Sequence, residues 1–316
     1  MFLNRRIRQG ELRWILFILG VGGPILGFLG RWNWFFDLFN HFRVQSFFVL
    51  LLATPLLIIG KAFKRAILSA LVAVYCLVSI APYLPISDKP GVYALKTLKL
   101  FYANIYTANQ AHEKLGRLVR KVDPDIVVLV EINERWKDYL EGEFVDFKFQ
   151  KLVPQDDNFG IAILSKIPID IDIEYVGSAG LPSLRGIFAH NDQEVVLWAT
   201  HPLPPIGANY SNLRNEQLRE LSKRLSVEEG PTLLIGDLNT TPWTYWFKIV
   251  TANRLLKDSR IGFGIQPSWP SMWPAFLRVP IDHLLYTDDL TVLERKSLND
   301  IGSDHIPFYA ELQTAR

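Results

Sequence analysis

Three long runs without a charged residue constrain the fold of this chain more than any other feature. They cover residues 14–30, 44–60 and 66–86. A helix needs about 20 apolar residues to cross the hydrocarbon core of a bilayer, within a range of roughly 17–25. We therefore predict a membrane domain over residues 1–90 with three transmembrane helices at about these positions. A cleaved signal peptide is the alternative for the first run, although two further spans follow it.

The placement of Lys and Arg predicts an orientation. Basic residues gather before the first run and between the second and third, and they are Arg5, Arg6, Arg8, Arg13, Lys61, Lys64 and Arg65. The first loop carries only Arg31 and Arg43. Because basic residues stay on the cytoplasmic side, we expect a cytoplasmic N-terminus and an extracytoplasmic C-terminal region.

The first loop, residues 31–43, is rich in aromatic side chains. They are Trp32, Trp34, Phe35, Phe36, Phe39 and Phe42. Aromatic rings favour the membrane–water boundary, so a short helix lying in that plane would suit this composition. An interfacial anchor is the simpler interpretation, and a role in contacting lipid is the alternative.

From about residue 95 the pattern changes to short strands separated by amphipathic helices. We predict helices near residues 110–122, 212–226 and 243–252, the second on the surface. Predicted strands lie near residues 98–107, 126–131, 159–166, 186–190, 194–201, 232–239, 281–287, 289–295 and 306–313. Such a mixture predicts an α/β domain over residues 95–316, with a sheet core covered by helices on its faces.

Several of these strands end in a polar residue. The residues are Asn104, Glu131, His201, Asp237 and Asn239. A single polar residue at a strand end is usually the start of a solvated loop. Several together, each able to bind a metal or transfer a proton, indicate a site at one edge of the sheet. Gly236 would allow close backbone approach there, and Pro242 is expected in the first turn of the next helix.

The motifs "YANIYTAN", "VVLVEIN", "GIAILSK", "ATHP", "IGDLN", "PIDHLL" and "GSDHIP" occur in a fixed order over about residues 98–312. This ordered set resembles the endonuclease/exonuclease/phosphatase superfamily, which includes DNase I-like nucleases, sphingomyelinases and inositol polyphosphate phosphatases. The resemblance implies a four-layer α/β sandwich, two packed mixed β-sheets flanked by helices, here preceded by the three transmembrane helices. It also implies hydrolysis of a phosphoester with Mg²⁺ or Mn²⁺.

The resemblance implies a role for each matching residue. Glu131, assisted by Asn104, would bind the metal, and Asp304 would be a further ligand or act through water. His305 would be a general base or a charged phosphate ligand, with Asp282 holding its imidazole. The other three would act on water and phosphate: His201 by donating to a phosphate oxygen, Asp237 by orienting or deprotonating water, and Asn239 through its amide. The residue that accepts the proton stays open, and the other histidines are not expected to take part in catalysis.

Candidate substrate-binding residues lie outside these motifs. Arg185 could offer a guanidinium to phosphate, although a surface charge is the simpler interpretation. The loop at residues 264–280 contributes Trp269, Trp273, Phe276 and Arg278 just before Asp282. An apolar loop beside a site could enter the lipid boundary or line an acyl-chain groove, whereas a buried loop core is the alternative.

Three spans followed by this domain, together with "THPLPP", resemble a bacterial membrane-bound branch linked to teicoplanin resistance and lipid pyrophosphates. We therefore predict a metal-dependent phosphatase-like or phospholipase C-like hydrolase in the bacterial cytoplasmic membrane. Its expected partners are the bilayer and a lipid phosphate substrate, a phospholipid or polyprenyl pyrophosphate, and no protein partner is predicted. Nucleic acid is not expected because the net charge is only +2. The alternatives are an extracytoplasmic nuclease and a catalytically inactive membrane scaffold.

Overall fold

The described residues of this computed structural model are 9–85, 96–252 and 256–314. They divide into two compact units: one holds the residues up to Pro82 together with Trp243–Tyr245, and the other holds the remainder from Tyr83 onward. The predicted boundary at residues 90–95 lies outside the described residues, as do Arg5, Arg6 and Arg8.

The described residues of the first unit are mostly helical. Its α-helices are α1 (Gln9–Gly27), α2 (Trp34–Asp37), α3 (Arg43–Ile59) and α4 (Phe63–Ile80). Three stretches, Gly10–Arg31, Trp34–Ile59 and Phe63–Tyr83, are long and apolar enough to cross a membrane. The three predicted apolar helices are therefore confirmed.

The aromatic loop contains the short helix expected there. Helix α2 begins after Asn33, whose side-chain oxygen accepts a hydrogen bond from the Phe35 amide at 2.9 Å. Trp32 and Phe35 are 68% and 50% exposed. The position of helix α2 at a membrane boundary stays a prediction.

Among its described residues the second unit contains two six-stranded sheets and four α-helices, the last of which begins at Tyr245 of the first unit. The helices are α5 (His112–Val122), α6 (Glu134–Glu143), α7 (Gly207–Ser226) and α8 (Tyr245–Ala252). The strands are β1 (Leu98–Asn104), β2 (Ile126–Val130), β3 (Phe149–Val153), β4 (Ile161–Ser165), β5 (Asp170–Tyr175), β6 (Pro182–His190), β7 (Gln193–Ala199), β8 (Thr232–Asp237), β9 (Lys257–Asp258), β10 (Asp282–Tyr286), β11 (Leu290–Ser297) and β12 (Phe308–Thr314). The sheet orders are β11-β12-β1-β2-β4-β3 and β5-β6-β7-β8-β10-β9.

Apolar side chains bury the sheets on both faces, which produces the four layers. One core cluster joins residues of both sheets, such as Leu100, Val128 and Leu233, between them. A second cluster packs α5 and α6 on the first sheet, and a third packs α7 and α8 on the other. The predicted sandwich of two mixed sheets flanked by helices is confirmed.

Two helices differ from their predicted form. Helix α7 is not simply a surface helix, because Arg214 and Gln217 are fully buried. Both side chains donate hydrogen bonds to groups near the strand ends: Arg214 donates to the Asn239 carbonyl at 2.9 Å, and Gln217 donates to the Thr200 hydroxyl at 3.2 Å. Helix α8 begins at Tyr245, so Pro242 lies in the preceding turn rather than in the first helical turn.

Four elements have no counterpart among the predicted ones. Helix α6 and strands β3, β5 and β9 are short, and all three strands lie at sheet edges. An edge strand buries little of its surface, so its side chains show no clear apolar alternation. The alternation of apolar residues therefore predicts the central strands but not these peripheral elements.

Two parallel strand pairs, among otherwise antiparallel ones, determine where the site can form. Strands β1 and β2 are parallel and joined through α5, and β7 and β8 are parallel and joined through α7. A parallel pair brings the carboxyl ends of both strands to the same edge. The chain segments after β1, β2, β7 and β8 are therefore available to build one site.

Gly236 permits the close approach of β7 and β8 beside that site, as predicted from the sequence. A Cβ atom there would lie 1.9 Å from the Thr200 carbonyl oxygen, which is backbone and has little freedom to move. We expect Gly236→Ala to lower the free energy of unfolding by about 1–3 kcal/mol or more, because the two strands must separate. Denaturant unfolding of the full chain in detergent measures this.

Gly142, on the exposed side of α6, is the matched control because a Cβ there would meet nothing within 4 Å. Gly142→Ala is expected to leave stability unchanged or raise it by about 0.4–1 kcal/mol. Equal effects of the two substitutions would contradict this account of Gly236.

Candidate active site

Asn104, Glu131 and Asp237 come together from three strand ends. The Asn104 amide nitrogen donates to Glu131 Oε1 at 2.8 Å and to Asp237 Oδ2 at 3.3 Å. Its amide oxygen accepts from the Tyr106 backbone N–H at 3.1 Å, which settles the orientation of the amide. Asn104 therefore presents its nitrogen to the carboxylates and orients Glu131, while its oxygen is used by the backbone.

The backbone around these side chains adopts unusual conformations. Glu131 has φ 65° and Tyr106 has φ 59°, in the left-handed region that non-glycine residues rarely enter. Each such residue costs of order 1–3 kcal/mol and persists only where the surroundings hold it. Thr107 holds Glu131 through a hydroxyl bond to its carbonyl at 3.1 Å. The strain aims the Glu131 carboxylate towards Asn104 instead of along the strand.

Asp237 and Asp282 face each other across β8 and β10, because their Cα positions are paired in the register. His305 lies against both: its Nδ1 donates to Asp282 Oδ2 at 2.8 Å, and its Nε2 is 3.6 Å from Asp237 Oδ2. All three residues are at most 4% exposed. The imidazole therefore separates two buried carboxylates that would otherwise repel each other.

The backbone before His305 is fixed by Ser303. The Ser303 hydroxyl donates to the Asn104 carbonyl at 2.7 Å and accepts from the His305 N–H at 3.0 Å. This pair of bonds ties the loop of the "GSDH" motif to the end of β1. It explains how a residue near the C-terminus joins a site built by earlier strands.

Burial and neighbouring charges shift the pKa values of these groups in opposite directions. Burial alone would lower the pKa of His305, but Asp282 and Asp237 outweigh it and raise the pKa to about 10. Burial raises the pKa of Asp237 well above its usual range, and the Asp282 charge adds to the rise. Burial opposes ionisation of Asp282 too, but the His305 charge and hydrogen bond keep the pKa of Asp282 lowered. His305 is therefore a cation at neutral pH, paired chiefly with Asp282.

His201 and Asn239 form the other side of the site. The Asn239 amide nitrogen donates to the Pro202 carbonyl at 2.9 Å and lies 3.3 Å from His201 Nε2. Burial lowers the pKa of His201 to about 3, so its imidazole is neutral. Asn239 reaches this position from a turn at φ 48°, with its N–H bonded to Asp237 Oδ1 at 2.8 Å. The Asn239 side chain lies on the same side as Asp237 because the chain turns after β8. Alternation of side chains along a strand does not explain this, because β8 ends at Asp237.

Asp304 links the site to the apolar loop at residues 269–277. The Trp269 indole N–H donates to Asp304 Oδ2 at 3.2 Å, and the Ser271 N–H donates to the Asp304 carbonyl at 2.7 Å. The loop's large apolar side chains are exposed: Met272 by 69%, Trp273 by 50% and Phe276 by 64%. The alternative of a buried loop core is therefore wrong for these side chains, because they extend outward from a loop whose backbone is tied to Asp304.

Two basic residues predicted to bind substrate contact protein groups instead. Arg185 forms two hydrogen bonds to the Glu228 carboxylate, both at 2.6 Å. Glu228 precedes β8, whereas Asp237 is the last residue of that strand, so the structure does not bring Arg185 to the other site residues. Arg278 donates to the Trp273 and Ser271 carbonyls, each at 2.7 Å, and thereby holds the apolar loop together.

A family model described as the endonuclease/exonuclease/phosphatase family matches residues 101–305, which span every residue of the strand-end group and His305. The chain belongs to this family. No curated protein sequence matches it, so the narrower resemblance to the teicoplanin-resistance branch stays a prediction.

Solved structures share the fold of this family member at low sequence identity. D. rerio TDP2 in complex with a single-strand DNA product is 17% identical, with a TM-score of 0.58, covering 69% of this chain and 100% of that one. The Bacteroides thetaiotaomicron mannosyl-6-phosphatase is 18% identical, with a TM-score of 0.55 and coverages of 68% and 99%. The human Nocturnin catalytic domain with bound sulfate is 14% identical, with a TM-score of 0.56 and coverages of 72% and 98%. At these identities the likeness shows the fold alone.

The residues present fit a hard divalent cation, the kind of metal that the family typically uses. Asp304 Oδ1 is buried without a hydrogen-bond partner among the described residues. Burial raises the pKa of Glu131, and the Asp304 charge raises it further, so the two carboxylates are close enough to act on each other. Asp237, Asp282 and His305 form a second candidate group, with ligand atoms within 4.8 Å of one another. Carboxylate oxygens are the donors that Mg²⁺ prefers.

Two buried side chains that contact the turn carrying Asn239 were not expected at the site. They are Arg214 on α7 and His283 on β10. The helical pattern of α7 places Arg214 on no special face. His283 was set aside with the other histidines because it follows Asp282 and points to the opposite side of the strand.

The raised pKa of His305 makes a prediction about stability and pH. The unfolded chain loses this proton near the ordinary pKa of 6.5, whereas the folded chain keeps it until about 10. The stabilisation is therefore complete below about pH 6.5 and is lost as the pH rises towards 10, by at most about 1.4 kcal/mol per pH unit. We expect His305→Gln to flatten this decline, measured as unfolding free energy between pH 6 and 10 with chelator present.

His190 offers a control because it is another buried histidine, whose Nε2 lies 3.0 Å from the Lys96 carbonyl. Burial lowers the pKa of His190, so His190→Gln should leave the slope above pH 6.5 unchanged. If the unfolding free energy falls equally with pH in the parent and in His305→Gln, His305 is not a buried cation.

Proposed function

We propose that this protein is a metal-dependent hydrolase of a lipid phosphoester, anchored in a membrane by its three apolar helices. The supporting observation is the position of the exposed apolar loop at residues 269–277, bonded through its backbone to the residue before His305. The substrate is a phospholipid or a polyprenyl pyrophosphate, cleaved in a phosphatase-like or phospholipase C-like manner. The expected location is the extracytoplasmic face of a bacterial cytoplasmic membrane.

The charge states of the buried groups support a division of roles. A phosphoester repels nucleophiles through its own negative charge, so catalysis requires positive charge and donors aimed at its oxygens. His305, protonated and held by Asp282, binds a phosphate oxygen. Asp237, whose pKa burial raises, accepts the proton of the attacking water.

His201 and Asn239 bind the opposite side of the phosphate group. Neutral His201 lies 3.6 Å from Asp237 Oδ2 through its Nε2, close enough for both to contact one water or phosphate oxygen. Asn239 carries two amide hydrogens, of which one bonds the Pro202 carbonyl. The other is directed to the His201 side of the site, where a substrate oxygen would compete for it.

Glu131 and Asp304 are the residues that would hold a divalent cation, with Asn104 orienting the Glu131 carboxylate. A bound Mg²⁺ or Mn²⁺ polarises a phosphoryl oxygen and neutralises charge that develops during cleavage. The Trp269 indole occupies the other oxygen of Asp304 and so keeps its carboxylate in one orientation.

The apolar loop supports the choice of a lipid substrate. Aromatic side chains flanked by few charges favour the boundary between headgroups and acyl chains. Arg278 and Ser271 brace the loop internally and bind it to the segment containing Asp304 and His305. Insertion of Trp273 and Phe276 would therefore place the catalytic residues at headgroup depth.

A hydrolysis assay on purified full chain in nanodiscs with Mg²⁺ tests the proposal, with free phosphate, phosphorylated headgroups and DNA fragments each measured. The substrates are polyprenyl pyrophosphate, phosphatidic acid, sphingomyelin, common phospholipids and DNA, with Asp237→Asn as the inactive control. We expect hydrolysis of at least one lipid, and a double variant Trp273→Ser/Phe276→Ser should slow it severalfold while sparing a soluble nitrophenyl phosphate ester.

Val145 and Val227, 69% and 78% exposed, provide the matched control for removing surface apolar groups. Their double substitution by Ser should not change the lipid rate. Hydrolysis of DNA and of none of the lipids would overturn the proposal in favour of a nuclease. No turnover of any substrate by folded protein would favour an inactive scaffold.

The metal assignment has its own test. We expect Mg²⁺ and Mn²⁺ to raise the unfolding temperature, and Glu131→Gln to weaken their apparent affinity by about tenfold or more. Glu134→Gln is the control, because that carboxylate is 68% exposed on α6. If Asp282→Asn weakens binding and Glu131→Gln does not, the metal is held by the Asp237, Asp282 and His305 group instead.

A further inference from the structure

His283 lies behind the site and contacts the turn that carries Asn239. It follows Asp282 on β10 and therefore points to the opposite face of the sheet, where it is fully buried. Its ring packs on Phe247 of α8 with centroids 4.8 Å apart. Nothing in the position of His283 lets it touch a substrate, so any influence on catalysis must pass through other residues.

The neighbours of His283 determine which ring nitrogen carries the proton. Arg260 Nη2 lies 2.6 Å from His283 Nδ1, and a guanidinium can only donate, so Nδ1 accepts. The proton of the neutral ring is therefore on Nε2, which donates to the Thr240 carbonyl at 2.8 Å. Arg260 is itself held by two bonds to Asp258, at 3.0 and 2.6 Å. Burial and the Arg260 charge lower the pKa of His283 to about 3, so this arrangement persists at physiological pH.

Successive carbonyls of the turn are thus held from behind by side chains of two different elements. Arg214 of α7 donates to the Asn239 carbonyl at 2.9 Å, and His283 of β10 donates to the Thr240 carbonyl. Together with the Asn239 N–H bond to Asp237 Oδ1, these bonds hold Asn239 at φ 48°, a conformation that persists only where its surroundings hold it. This conformation is what turns the Asn239 amide towards His201.

We propose that His283 is a positioning residue for phosphoester hydrolysis, which holds the turn after β8 so that the Asn239 amide faces the reacting phosphate. The inference rests on the proposed hydrolytic function of the same site. The hydrogen bond from His283 Nε2–H to the Thr240 carbonyl raises the rate of turnover, and this effect is separate from the contribution of the buried ring to folding.

Two substitutions separate the donor from the rest of the ring. His283→Gln can place an amide N–H near the Nε2 position, whereas His283→Asn is too short to reach Thr240. We expect His283→Asn to lower kcat about tenfold or more with KM changed less than about twofold, because misplacement of a catalytic group slows the chemical step. His283→Gln should restore most of the rate. A soluble nitrophenyl phosphodiester is the substrate, so the assay does not depend on the identity of the lipid.

A double-mutant cycle with Asn239→Ala distinguishes positioning from a structural role. If His283 acts through Asn239, His283→Asn should cause no further loss of kcat in the Asn239→Ala background. Losses that multiply would overturn the proposal, as would an unchanged kcat in folded His283→Asn. His190→Asn, at a buried histidine that bonds the Lys96 carbonyl, is the control and should leave kcat unchanged.

Hydrogen exchange provides a measurement that does not need activity. The backbone amides of residues 238–242 should exchange faster in His283→Asn than in the parent and His283→Gln, while those around residue 190 do not change. If the parent hydrolyses nothing, the proposed function fails, and unchanged exchange at this turn is the separate result that would overturn the positioning role. Should His283→Asn not fold, His283→Met fills a similar volume without a donor and takes its place.

Discussion

The site depends on one electrostatic arrangement, in which a histidine cation lies between two buried carboxylates. The register of β8 and β10 sets Asp237 opposite Asp282, and like charges in that relation destabilise a sheet. His305 resolves the conflict by pairing with Asp282, which stays ionised, while the pKa of Asp237 rises. The arrangement that lets Asp237 and Asp282 lie opposite each other also provides the His305 cation, which can bind phosphate. It leaves Asp237 as a carboxylate that can accept a proton.

The architecture delivers these groups because two parallel strand pairs open at the same edge of the sandwich. Asn104, Glu131, Asp237 and Asn239 follow strands of both sheets, and Ser303 ties the His305 segment to the end of β1. Strained residues such as Glu131 sit where strand geometry alone would aim a side chain elsewhere. Packing of the two sheets stabilises the fold enough to offset the free energy of this backbone strain, so the site residues are already oriented before substrate binds.

Much of the site could be predicted from residue types at strand ends, because an apolar strand followed by a polar residue is visible in a linear pattern. Asp237 and Asn239 were expected together for that reason, although the turn at Asn239, and not strand alternation, brings them together. Arg185 shows the limit: its charge suggested phosphate binding, but Glu228, over forty positions away, pairs with it. A long-range ion pair leaves no local trace in a sequence. Arg214 was overlooked, and His283 was given no role, for the same reason.

Hydropathy and ordered motifs are local properties of the chain, so the three apolar helices, the α/β class of the second unit and the family follow from residue order. The charge of His305, the tautomer of His283, the orientation of the Asn104 amide and the exposure of the loop at residues 269–277 depend on the folded structure. Each of these properties depends on which groups become neighbours when the chain folds. Burial strengthens charge interactions and obliges each polar group to find a partner, and those partners come from distant parts of the chain.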